Sequence, residues 1–164
     1  MNKVAIIIGS ASDEQTMRPC SDILKDLGVP HLFTIASAHR TPARTEGLVA
    51  DLEAQGCEVF ICAAGMAAHL AGAVAARTIR PVIGVPIDAS PLNGMDALLA
   101  TVQMPPGFPV GTVAIGQAGA RNAAWLAAQI LAVNDKALGE KIRQARQGFI
   151  ASVEKAAREL ESKN

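Results

Sequence analysis

The stretch V-A-I-I-I-G-S-A-S-D, Val4 to Asp13, decides how the rest of the chain is read. Its first five residues are apolar without interruption, β-branched at every position but Ala5, and they end in Gly9 and a polar, small-residue loop. A strand with one face in water alternates apolar and polar side chains. One that is apolar throughout is covered on both faces, as in a parallel sheet between helical layers.

Four more runs of this kind follow: HLFTIA (His31 to Ala36), EVFICAA (Glu58 to Ala64), PVIGVP (Pro81 to Pro86) and GTVAIG (Gly111 to Gly116). Between them lie helical patterns, expected over Asp13 to Leu27, Pro42 to Gln55, Ala67 to Ile79, Met95 to Val102 and Ala120 to Val133. Strands alternating with helices imply right-handed βαβ crossovers, hence an α/β fold: a three-layer α/β/α sandwich around a parallel five-stranded sheet. After Asn134 a long C-terminal helix is expected to about Ser162. Leu138, Ile142, Ala145, Phe149, Val153, Ala156 and Leu160 recur on it at helical spacing. That apolar stripe needs covering, by this domain or by a neighbour.

Composition narrows the function classes. A chain of 164 residues fits one domain, residues 1 to 164, able to bury about 70% of its unfolded surface. Fifteen basic and fifteen acidic residues cancel, so the field that drives binding to nucleic acid or anionic membranes is missing. The N-terminal apolar run is too short for a signal sequence or a span, which suggests a cytoplasmic protein. Cys20, Cys57 and Cys62 are odd in number and unpatterned in spacing, and read as buried thiols. The abundant alanine and glycine suit close helix packing and subunit contacts.

Ligands of an open parallel sheet bind beyond the carboxyl ends of the strands, where the strand order reverses. Five strands in the order 2-1-3-4-5 put that reversal between the first and third. The loops expected there are GSASD, SAHRTP and AGMAAHLAG. In the first, Ser12 to Gln15 spell a capping box, and the same helix start offers backbone N–H groups and the hydroxyls of Ser10 and Ser12 to a phosphate, with Asp13 suited to ribose hydroxyls. In the second, Thr41 as cap and Pro42 at the first helical position account for Thr-Pro but leave His39 and Arg40 unexplained. Arg40 is a fixed cation for phosphate or carboxylate, and His39 can give and take a proton near neutral pH. In the third, Gly65, Ala67 and Ala68 let a ligand approach the backbone. His69 either bonds within its own helix or joins the site. His31 opens a strand without such company and reads as structural.

No G-x-G-x-x-G, P-loop, H-E-x-x-H or paired C-x-x-C is present, so neither a dinucleotide loop nor a metal centre is indicated. A phospho-receiver would need an acidic pair after the first strand, where Gly9 and Ser10 stand instead.

Taken in order, GSxSD, SAHRTP, AGxAAHLxG, GVP (Gly84 to Pro86), MPxGxPVGT and AIGxAGAxNAAxLAAQIL resemble, over nearly the whole chain, the class I 5-(carboxyamino)imidazole ribonucleotide mutase family of purine biosynthesis. The resemblance implies a flavodoxin-like subunit in a homo-octamer with no metal or redox cofactor. It implies an isomerase that moves a carboxylate from the exocyclic nitrogen of a ribonucleotide to ring carbon 4. By matching positions, Ser10, Asp13 and Arg40 would bind the ribonucleotide, with Ser12 and Ser37 helping the phosphate. His39 would be the general acid and base, and Gly65, Ala68, His69 and Leu70 would complete the substrate pocket.

Two positions depart from the family pattern: Ala71 stands where proline is common, and Ser90-Pro91 alters the segment after GVP. A sister group carboxylates the plain aminoimidazole ribonucleotide directly with carbon dioxide. It resembles SAHK rather than SAHR and lacks the Ala68-His69 pair, so this sequence sides with the mutases. A non-catalytic flavodoxin-like module would need aromatic residues to stack a flavin, and the three loops have none.

Overall fold

The computed structural model describes residues 1–163. Its order is β1 (Val4–Ile8), a 3-10 turn (Ala11–Asp13), α1 (Glu14–Asp26), β2 (His31–Ile35), α2 (Pro42–Ala54), β3 (Val59–Gly65), α3 (Leu70–Ala75), β4 (Val82–Ile87), α4 (Met95–Val102), β5 (Gly111–Thr112), α5 (Gly116–Ala132) and α6 (Lys136–Glu161). All strand pairs are parallel, and the sheet order is β2-β1-β3-β4-β5. The expected reversal therefore falls between β1 and its neighbours β2 and β3.

Every residue of β1 and β4 is buried, as their continuous apolar runs require. Pleating divides β1 between two cores. Val4, Ile6 and Ile8 face Met17, Cys20 and Leu24 of α1 and the alanines of α5, while Ala5 and Ile7 face Val49 and Leu52 of α2 and Val74 of α3. The alanine-rich face of α5 (Ala120, Ala123, Ala124, Ala127, Ala128) is fully buried and lets helix and sheet approach closely. On the other face, α4 lies over Gly84 of β4. A Cβ there would sit 2.3 Å from the Thr101 methyl, so no larger residue fits.

Several boundaries differ from the sequence expectation. The fifth strand stops at Thr112 instead of Gly116, because the chain turns straight into α5, which starts four residues earlier than expected. Gly119 permits this fold-back: its missing Cβ would lie 1.7 Å from the Ala114 carbonyl oxygen. The third helix is Leu70–Ala75 rather than Ala67 to Ile79, because Met66 adopts a left-handed φ of 54° and the chain turns before entering the helix. The capping box at Ser12 does not form. Ser10 instead caps the 3-10 turn, its hydroxyl accepting from the Ser12 amide at 3.4 Å.

Leu138 and Ile142, on the first two turns of α6, close the α1/α5 side of the core. Beyond them the stripe is uncovered: Phe149 is 56% exposed, Val153 71% and Leu160 67%. Phe149 touches only the rim of the fold, edge-on to Trp125 with ring centroids 5.7 Å apart. No helix among the described residues is long and apolar enough to cross a membrane. Cys20, Cys57 and Cys62 are buried free thiols, and burial pushes Cys20 up to about 12.

Candidate functional site

The loops leaving β1, β2 and β3 meet at the carboxyl edge of the sheet around an open cavity of about 470 Å³. Its walls include Ser10, Ser12, Asp13, Ser37, His39, Arg40, Gly65, Ala68, His69 and Leu70, whereas Ala67, also expected there, does not line it. Such a volume suits a small, polar ligand. A larger groove of about 840 Å³ opens at the amino end of β4, but Arg77 and Arg80 there pair with Glu46 and Glu53 across 3.7 and 3.5 Å. That groove holds no histidine, whereas His39 and His69 both line the smaller cavity.

The second loop is braced from within. Thr41 occupies the cap position of α2, yet its hydroxyl does not cap the helix. It accepts from the Ser37 amide at 3.0 Å and donates to the Ser37 carbonyl at 3.1 Å. The Ser37 hydroxyl in turn accepts from the Arg40 amide at 3.2 Å. Ser37 and Thr41 thereby close the loop on itself and leave the intervening His39 and Arg40 exposed toward the cavity. Pro42, without an N–H, opens the helix as expected.

Asp13 lies on the floor with 5% of its surface exposed. Burial raises its carboxyl above the ordinary carboxylate range, opposed by the Ser12 hydroxyl, by the Ser10 backbone and by the Arg40 charge. The Ser12 hydroxyl lies 3.2 Å from Asp13 Oδ1 and 3.0 Å from Ser10 Oγ, which links the three side chains of the first loop. Arg40, exposed at the rim, donates from Nη2 to the Gly9 carbonyl at 3.1 Å. Serine hydroxyls, a carboxylate and a guanidinium thus line one side, the donor and acceptor set that a phosphorylated ribose calls for.

The third loop supplies the opposite wall. A Cβ on Gly65 would approach the Ala89 Cβ to 2.7 Å, so glycine is what lets the end of β3 pass the loop after β4. Met66 is held in the left-handed region, a conformation that costs a non-glycine residue about 1 kcal/mol or more. The turn this creates buries Ala68 and Leu70 and sets His69 at the cap position of α3. The His69 side chain makes no cap bond to its own helix; its Nδ1 lies 3.3 Å from His39 Nε2. His31 stays apart, bonded through Nε2 to the Ser21 hydroxyl at 2.7 Å and through Nδ1 to the Val29 carbonyl at 2.9 Å.

Sequence reasoning missed Ala89, which forms part of the wall from the loop after β4. Its signal was positional only, one strand beyond the reversal. No aromatic residue other than the two histidines lines the cavity, and no three metal-ligating side chains gather anywhere among the described residues.

Known proteins share this fold and much of this sequence. The AIR carboxylase family model matches residues 3–151. The chain is 50% identical over 144 residues to N5-carboxyaminoimidazole ribonucleotide mutase of Escherichia coli (strain K12), covering 88% of this chain and 85% of that protein. It is 47% identical over 157 residues to the protein of the same name from Bacillus subtilis (strain 168), covering 96% and 97%. Its fold matches the crystal structure of Treponema denticola PurE with a TM-score of 0.84 at 25% identity, over 93% of this chain and 94% of that one. With the match running through β1, the cavity loops and most of α6, the chain belongs to the AIR carboxylase family.

Proposed function

We propose that this protein is an N5-carboxyaminoimidazole ribonucleotide mutase: an isomerase of purine (IMP) biosynthesis that moves the carboxylate of its substrate from the exocyclic nitrogen to ring carbon 4. The product is 5-amino-1-(5-phospho-D-ribosyl)imidazole-4-carboxylate. The observation that carries this reading is the meeting of His39 with Ser10, Asp13 and Arg40 around one small cavity, in a chain about half identical to proteins of that name over most of its length.

Arg40 and the hydroxyls of Ser10, Ser12 and Ser37 bind the phosphorylated ribose, and Asp13 accepts from a ribose hydroxyl. Fixing the substrate at these points presents its imidazole to His39 and the third loop. The N–C bond of the carbamate breaks and its electron pair returns to nitrogen, leaving carbon dioxide and an enamine-like ring. Ring carbon 4 then attacks the carbon of the trapped carbon dioxide and forms the new C–C bond. His39 protonates the departing nitrogen and later takes the proton from carbon 4, so one imidazole serves as acid and then as base. Gly65, Ala68, His69 and Leu70 form the wall that retains carbon dioxide between the two steps.

The domain spans residues 1 to 164 and works as a cytoplasmic homo-octamer. The uncovered stripe of α6 supports assembly, and the octameric number rests on the family resemblance. Direct carboxylation of the plain aminoimidazole ribonucleotide is the second reading, favoured by the description of the matching family model. Arg40 and the Ala68-His69 pair favour the mutase. Offering each ribonucleotide in turn and following the 4-carboxy product decides between them: the mutase consumes the carboxyamino compound rapidly and the plain one slowly unless bicarbonate is high.

A further inference from the structure

We infer that Met66 closes the cavity once the ribonucleotide is bound: its thioether side chain folds from solvent across the mouth and keeps the released carbon dioxide beside ring carbon 4. The inference rests on the mutase reading, in which carbon dioxide is free between the breaking of one bond and the making of the other.

Carbon dioxide is uncharged, so its retention depends on a barrier more than on an ion pair, and the cavity is open on one side. The apolar side chains of the lining are Ala38, Ala64, Met66, Ala68, Leu70 and Ala89, of which the four alanines are too short to reach across. Leu70 is 2% exposed and fixed in the core. Met66 is 59% exposed, and its unbranched side chain turns about three bonds. It alone in this lining combines apolar length with freedom to move.

The backbone fixes where this side chain starts. Gly65 to Ala68 form a tight turn, closed by the Ala68 amide donating to the Gly65 carbonyl at 3.1 Å. The first central residue of the turn is Met66, with a φ of 54°, and the second, Ala67, has no positive φ. Glycine is favoured at that first position, because a Cβ there strains the backbone. Methionine brings a strain that the turn alone does not call for, and with it a long apolar side chain rooted in the cavity wall. Its exposed surface is covered when it lies against a bound imidazole ring, a partner that thioether sulfur also suits. Covering about half of a methionine side chain shifts a closing equilibrium about tenfold.

The test compares wild type with Met66→Ala, Met66→Gly and Met66→Leu, each given the carboxyamino ribonucleotide with labelled carboxylate in unlabelled bicarbonate. The label lost to solvent per turnover is expected to rise about tenfold in Met66→Ala and Met66→Gly and to stay near wild type in Met66→Leu, which keeps apolar length. Thermal melting separates side chain from backbone. Met66→Gly relieves the turn and is expected to melt above Met66→Ala, although both leak alike. Wild-type retention of label by Met66→Ala overturns the inference, as does leakage confined to Met66→Gly, which assigns the effect to a loosened backbone. Failure of the mutase reading shows in the wild type itself, as label lost to solvent with efficient use of the plain aminoimidazole ribonucleotide.

Discussion

Arg40 donates from Nη2 to the carbonyl of Gly9, 3.1 Å away, and so ties the loop leaving β2 to the end of β1. One edge of the guanidinium is engaged with the scaffold while its other donors remain available at the cavity rim. The same contact places the cation over the first loop, whose hydroxyls and helix start suit a phosphate.

Arg40→Ala is expected to act on binding. A charge-assisted contact to phosphate contributes about 1.5–3 kcal/mol, so the ribonucleotide dissociation constant rises about 10- to 100-fold. Calorimetric titration with substrate or product measures it. Unchanged affinity removes Arg40 from the phosphate site.

His39→Asn separates chemistry from binding. The amide roughly preserves the shape of the side chain but does not titrate, so turnover is expected to fall by more than about 100-fold with near-normal affinity. Residual activity within a few fold of wild type would take His39 out of the mechanism.

Asp13 sets function against stability. Burial raises its carboxyl in the folded protein above the 3.8 of an unperturbed group. The folded state therefore binds the proton more tightly than the unfolded one, and this group's contribution to stability declines as pH rises through the interval above 3.8. Asp13→Asn is expected to unfold at a higher temperature than wild type at pH 7, with the advantage shrinking toward pH 4, while ribonucleotide binding is lost. A variant less stable than wild type at pH 7, by a margin independent of pH, contradicts this.

The uncovered part of α6 is expected to hold subunits together. A chain shortened from Ala137 onward would also lose Leu138 and Ile142 from the core, so it would confound folding with assembly. Phe149→Glu with Val153→Glu avoids this, because both side chains are more than half exposed. Light scattering is expected to report a smaller particle with unchanged helix content. An assembly of wild-type size would place the subunit contacts elsewhere.

The sheet was legible because its central strands β1, β3 and β4 are apolar on both faces, a pattern that depends only on burial between two layers. The convergence of the three loops was legible too: strand order alone brought Ser10, His39 and His69 to one edge. Contacts that depend on loop geometry were not. The hydroxyls of Ser12 and Thr41 sit at helix starts that invite capping, yet each bonds within its own loop, to Ser10 and Asp13 and to Ser37. Val113 to Ile115 join strand to helix by a fold-back that rests on Gly119, a backbone approach with no periodicity to reveal it. The pairing of His39 with His69 spans 30 residues and depends on the left-handed Met66, which no local preference requires.

Whether carbon dioxide travels with the substrate tests the central claim most directly. The carboxyamino ribonucleotide is supplied with its carboxylate isotopically labelled, in unlabelled bicarbonate at modest concentration, and the label is followed into the 4-carboxy product. A pocket walled by Gly65, Ala68, His69 and Leu70 that retains carbon dioxide until carbon 4 attacks keeps most of the label. Label lost to solvent, together with efficient use of the plain aminoimidazole ribonucleotide at ordinary bicarbonate, would make this protein a direct carboxylase and contradict the account.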